Sequence, residues 1–80
     1  MTVSVLLFAS YADLLGRSQL DLRLAEGATV DDVIAELGRL PNGHKLPPRP
    51  LVAVNEHYAA WGQRLIAGDE VAVIPPVAGG

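Results

Sequence analysis

The residues best equipped for chemistry stand at the end of the chain. Val71-Ala72-Val73-Ile74 is a short apolar run, Pro75-Pro76 follows it, and Val77-Ala78 leads into Gly79-Gly80. A strand-like segment thus feeds a stiff arm, and the arm presents a bare α-carboxylate as its last group. That is how a terminus would be built to serve as substrate for another enzyme, and it places the working atoms of a carrier at Gly80. Glycine at 79 and 80 removes Cβ and opens backbone angles closed to other residues, so the tail can thread a narrow tunnel. Pro75 and Pro76 oppose that looseness by holding the base of the arm extended at about 3.1 Å per residue. Residues 75–80 then reach roughly 20 Å from the domain, enough to enter a neighbouring active site. A stiff base also lowers the ordering cost of docking.

No other residue set matches this one. The chain has no cysteine, which excludes a disulfide framework, a thiolate zinc site and a cysteine nucleophile. His44 and His57 lack companions at ligand spacing, so no metal site is expected. Asp31 and Asp32 are adjacent carboxylates at a helix start, where they serve the cap and the macrodipole. Ser4, Ser10 and Ser18 have no nucleophile-elbow context. Arg39, His44, Lys45 and Arg49 gather around one loop; they read as solvated charge, with docking to an acidic partner as the alternative. The domain is expected not to be a catalyst by itself.

Eighty residues with net charge −3 make one small acidic domain and argue against nucleic acid as a partner. No apolar run approaches membrane-spanning length. Met1 runs straight into a strand-like segment without a basic leader, from which a cytoplasmic location is expected.

The elements that must position the tail are legible in the patterning. Residues 2–8 are β-branched and apolar and predict a strand. Ser10-Tyr11-Ala12-Asp13 has the form of a capping box for a short helix stopped at Gly16. Leu20, Leu22 and Leu24 alternate with Asp21 and Arg23 as a half-buried strand. Thr29-Val30-Asp31-Asp32 is a second capping box, and Val30, Val33, Ile34, Leu37 and Leu40 form one apolar helical stripe ended by Pro41-Asn42-Gly43. His44 to Pro50 is a proline-rich loop, residues 51–55 a third strand, residues 58–65 ambiguous between a short edge strand and a turn, and Glu70–Ile74 the last strand after a tight turn at Gly68-Asp69. One long helix over four or five strands is an α+β two-layer domain. It spans residues 1–74, with residues 75–80 as its tail.

One helix covers one face of such a sheet. Val3, Val5 and Leu7 share the parity of the core, so Leu6 and Phe8 point away from it, as do Ala53, Ala72 and Ile74. These form a contiguous uncovered apolar patch suited to a protein interface. The alternative is that loops and the Trp61 region fold over it.

The arrangement resembles the MoaD/ThiS family of ubiquitin-like β-grasp sulfur carriers, most closely its molybdopterin synthase small-subunit branch. The residues carrying the resemblance are Leu6-Leu7-Phe8-Ala9, Leu14-Leu15-Gly16, Thr29-Val30, Val52-Ala53-Val54-Asn55 and the whole run from Gly68 to Gly80. Ala78 stands where many members carry threonine, and a related carrier of cysteine biosynthesis also ends in Val-Ala-Gly-Gly. The resemblance implies a β-grasp fold with a mixed sheet. It implies that a MoeB-like adenylyltransferase uses Mg-ATP to convert the Gly80 carboxylate to an acyl-AMP. Sulfur from a donor such as a cysteine desulfurase or rhodanese then gives a C-terminal thiocarboxylate. It further implies a MoaE-like large subunit in a heterotetramer, whose active site takes in the tail, and no permanently bound cofactor. The parity-read residues Leu6, Phe8, Ala72 and Ile74, with the arm Pro75-Pro76-Val77-Ala78, are the expected partner contacts. Carriers of thiazole or cysteine biosynthesis, a ubiquitin-like modifier joined to lysines through Gly80, and a β-grasp adaptor that ignores its tail are the competing expectations.

Overall fold

The computed structural model describes residues 1–76. Five strands form one mixed sheet: β1 (Thr2–Leu7), β2 (Gln19–Arg23), β3 (Leu51–Val54), β4 (His57–Tyr58) and β5 (Glu70–Ile74), in the order β2-β1-β5-β3-β4. β1 and β5 are parallel neighbours at the centre, and every other pairing is antiparallel. Helices α1 (Ala9–Leu15) and α2 (Val30–Gly38) and a short 3-10 turn at Gly43–Lys45 complete the fold. This is the ubiquitin-like β-grasp arrangement, with the sheet at the upper end of the expected strand count.

Parity decides the core. Val3, Val5, Leu7, Val52, Val54, Val71 and Val73 are buried on one sheet face and pack with Val30, Val33, Ile34 and Leu37 of α2. Alternation at period two supplies the first set and the i, i+3, i+4, i+7 stripe supplies the second. The capping box of α2 forms as the sequence predicts: the Thr29 amide donates to Asp32 Oδ2 at 2.7 Å. Leu40, the last residue of the predicted stripe, lies beyond the helix and is half-buried there.

The capping box predicted at Ser10 does not form. α1 starts at Ala9, whose φ is 47°, and Phe8 occupies the N-cap position without a side-chain bond. The chain turns into the helix directly from β1, so the Phe8 carbonyl accepts from Tyr11 N at 3.0 Å and Ser10 falls inside the first turn. The glycine stop is real: Gly16 is left-handed at φ 74° and its amide donates to the Ala12 carbonyl.

The stretch that local pattern left ambiguous makes tertiary hydrogen bonds. After β4, the carbonyls of Trp61 and Gln63 accept the first-turn amides of Asp31 and Val30 at 2.8 and 3.0 Å, and Leu65 N donates to Ala28 O at 2.8 Å. This segment supplies partners for amides that a helix N-terminus leaves unsatisfied. Trp61 packs against the core on the helix side, with its indole N–H on Pro50 O at 3.0 Å and Arg49 stacked 4.9 Å above the ring.

Gly43 is buried beneath the end of α2, and a Cβ built there would overlap the Leu37 carbonyl oxygen and stand 3.0 Å from Gly38 Cα. Both neighbours are helix backbone, which cannot yield cheaply. Gly43→Ala is expected to destabilise the domain by about 3 kcal/mol, read as a fall in the urea midpoint at unchanged slope.

Candidate functional site: the open sheet face at the root of the tail

β5 is the central strand, so the chain leaves the sheet from its middle rather than from an edge. The strand ends at Ile74, and Pro75 and Pro76 follow outside it. The register sets Leu6 of β1 beside Ala72 and Leu7 beside Val73. Because Leu7 and Val73 are buried under the helical layer, Leu6, Ala72 and Ile74 lie on the opposite face.

That face is open. Leu6, Phe8, Ala53, Ala72 and Ile74 line one shallow recess of about 410 Å³, and Phe8 is 45% exposed. The Trp61 region lies on the helix side and does not cover it. Of the patch read from the sequence, only Ala53 is buried, at 7% exposed, because it sits between Ala72 on β5 and Tyr58 on β4.

The recess has an edge that strand parity does not supply, although the sequence reads Tyr58 as a packing or rim residue. Tyr58, 76% exposed, forms one wall, and Glu56 and Glu70 set carboxylates at the rim. Leu51, also exposed, pairs with Ile74 in the neighbouring strand. An apolar floor, an aromatic wall and a polar rim are the anatomy of a protein docking surface. The signal for Tyr58 was its distance from a two-residue turn: Asn55 and Glu56 both have positive φ, which folds β3 back on β4 as a tight hairpin.

A polar cluster around the buried Asp69 holds the start of β5. Asp69, 7% exposed, accepts from Asn55 Nδ2 at 2.9 Å and from Ile66 N at 2.8 Å. Asn55 Oδ1 accepts from Glu70 N at 2.9 Å, and Asn55 N donates to Glu70 O at 2.8 Å. Two turns and the central strand are thus tied by one carboxylate and one amide. Asp69→Ala leaves the Ile66 amide and Asn55 Nδ2 without their partner, and is expected to cost about 2–3 kcal/mol in urea unfolding.

Two of the basic residues grouped by sequence have partners of their own. Arg39 meets Glu36 at 3.5 Å, Arg49 stacks on Trp61, and His44 and Lys45 are exposed on the 3-10 turn. Among the described residues, no group of His, Cys, Asp and Glu is placed to hold a metal ion, and no helix is long and apolar enough to cross a membrane. Val77, Ala78, Gly79 and Gly80 lie outside the described residues.

A family model described as the ThiS family matches residues 5–80. The chain belongs to the ThiS family. The match takes in the open-face strands, the two prolines and the Gly-Gly pair. Among curated relatives, the molybdopterin synthase sulfur carrier subunit of Arabidopsis thaliana is 33% identical over 79 residues, covering 98% of this chain and 82% of the relative. Small archaeal modifier protein 3 of Haloferax volcanii is 32% identical over 92 residues, covering the whole of both. The crystal structure of SAMP1 from Haloferax volcanii superposes with a TM-score of 0.87 at 29% identity, again over 100% of each chain. ThiS-family membership and β-grasp geometry therefore agree over residues 5–76.

Proposed function

We propose that this ThiS-family chain is the sulfur-carrying subunit of a molybdopterin synthase, and that its reagent is the Gly80 carboxylate. The observation that carries the reading is the departure of the chain from the middle of the sheet beside an uncovered apolar face. A partner seated on Leu6, Phe8, Ala72 and Ile74 would receive the tail directly into its own interior. The curated likeness to a molybdopterin synthase sulfur carrier subunit supports the same assignment.

The chemistry follows from the carboxylate. Its oxygen attacks the α-phosphorus of ATP on a MoeB-like adenylyltransferase, pyrophosphate leaves, and an acyl-AMP anhydride remains. A sulfur nucleophile, delivered by a persulfide on a desulfurase or rhodanese, adds to the acyl carbon and expels AMP. Reduction of the resulting acyl disulfide by a thiol frees the thiocarboxylate. Within the active site of a MoaE-like large subunit, that sulfur passes to a pterin precursor. The carrier does not itself catalyse a step: it holds the acyl carbon without a neighbouring side chain and aims it.

A second reading has its own support in the likeness to small archaeal modifier protein 3, in which case Gly80 would end in an isopeptide bond to lysine. Affinity purification from the native cell under denaturing conditions separates the two. Recovery of the chain alone, together with native co-purification of a MoaE-like subunit, supports the carrier. Recovery of a ladder of lysine conjugates overturns it in favour of the modifier.

A further inference from the structure

β2 is an edge strand, and its free side is self-complementary. Met1 and Leu24 exchange backbone hydrogen bonds at 2.7 and 2.8 Å, and Leu7 N donates to Ser18 O at 2.9 Å. With the β1–β2 register, this gives the even-numbered residues of β2 the inward-facing N–H and C=O groups. Gln19, Asp21 and Arg23 therefore aim their backbone groups away from the sheet. Asp21 and Arg23 are exposed, lie on the same sheet face, and have no ion-pair partner among the described residues. Leu20, Leu22 and Leu24 are half-buried on the other face.

We infer that this edge pairs with the β2 edge of a second copy of the chain, antiparallel and centred on Leu22. Only residues with outward backbone groups can form the hydrogen-bonded pairs, which restricts Asp21 to facing an odd-numbered residue. Centring on Asp21 opposes two aspartates, and centring on Arg23 opposes two arginines; both are unfavourable directly across strands. Centring on Leu22 sets Asp21 opposite Arg23 of the second copy and Arg23 opposite its Asp21. The same register aligns Leu22 with Leu22, and Leu20 with Leu24, on the helix side. The two-fold axis is perpendicular to the sheet, so both copies keep their helices on one side and their open faces on the other. β1 separates this edge from β5. The pairing leaves the apolar recess and the root of the tail free, and it does not depend on the sulfur-carrier reading.

Exposed strand edges are commonly blunted by charge to prevent such association. Here the two charges have opposite sign and a spacing of two, which matches rather than repels an antiparallel copy. The contact is smaller than a standard interface, so association belongs to high concentration. Sedimentation velocity from about 10 µM to 1 mM is expected to show reversible dimerisation. Asp21→Arg sets arginines against each other and should weaken it by about tenfold or more, while D21R combined with R23D restores it. In the wild-type chain, the amides of Asp21 and Arg23 should gain exchange protection with concentration, and those of Leu20 and Leu22 should not. A chain that stays monomeric at the highest concentration overturns the inference. So does a dimer indifferent to D21R, or one in which the double variant fails to recover.

Discussion

Replacing Phe8 by aspartate and Ile74 by glutamate together is expected to weaken association with the large subunit by more than about 100-fold, while the domain stays folded. Both side chains line the open recess. On complex formation each substituted carboxylate would lose water against an apolar surface with no counter-charge provided for it. Burying an unpaired charge costs several kcal/mol. In the free chain the same carboxylates remain hydrated, since Phe8 is already 45% exposed and Ile74 points away from the helical layer. Titration calorimetry against the purified large subunit reads the first effect, and a thermal melt with near-native midpoint reads the second. A variant that unfolds would mean that this face belongs to the core. Binding that persists would place the interface elsewhere.

The other large effect concerns Gly80. Deleting it, or adding one residue after it, is expected to abolish loading, with folding and large-subunit binding little changed. Addition moves the free carboxylate one residue outward; deletion withdraws it by about 3.5 Å. Either displacement is larger than the tolerance for a near-attack geometry, in which reacting atoms must lie about 3–3.5 Å apart. Gly80→Val keeps the length but sets a β-branched side chain beside the acyl carbon, and should load far more slowly than the natural tail. ATP–pyrophosphate exchange with the activating enzyme reads the adenylation step for each variant. Exchange at the natural rate in the extended chain would show that the terminus is not what that enzyme reads.

Much of this fold was legible because its strands and long helix obey single periods. The valines of β1, β3 and β5 alternate, and the α2 stripe runs from a true capping box, so parity alone separated Val3, Val5 and Leu7 from Leu6 and Phe8. Short elements escaped the same reasoning. Ser10 carried the sequence form of a cap, yet the geometry of leaving β1 starts the helix at Ala9 and leaves the hydroxyl inside the first turn. Residues 59–65 have no local period because their hydrogen bonds go to the α2 N-terminus and to Ala28, partners far away in the chain. The apolar floor of the candidate site followed from strand parity, whereas its wall did not. Tyr58 reaches the recess only through the hairpin made by two residues at positive φ, Asn55 and Glu56, and such a turn is normally announced by glycine. The Asn55–Asp69 pair was missed for a related reason: each looks like a turn residue alone, and only the sheet order brings them to 2.9 Å.

Intact mass spectrometry after incubating the full chain with its cognate adenylyltransferase, Mg-ATP, a persulfide donor and a reducing thiol tests the carrier assignment most directly. The expected spectrum shows a gain equal to exchange of one oxygen for one sulfur, confined to the C-terminal peptide and absent when ATP is withheld. A chain whose mass is unchanged under those conditions contradicts it.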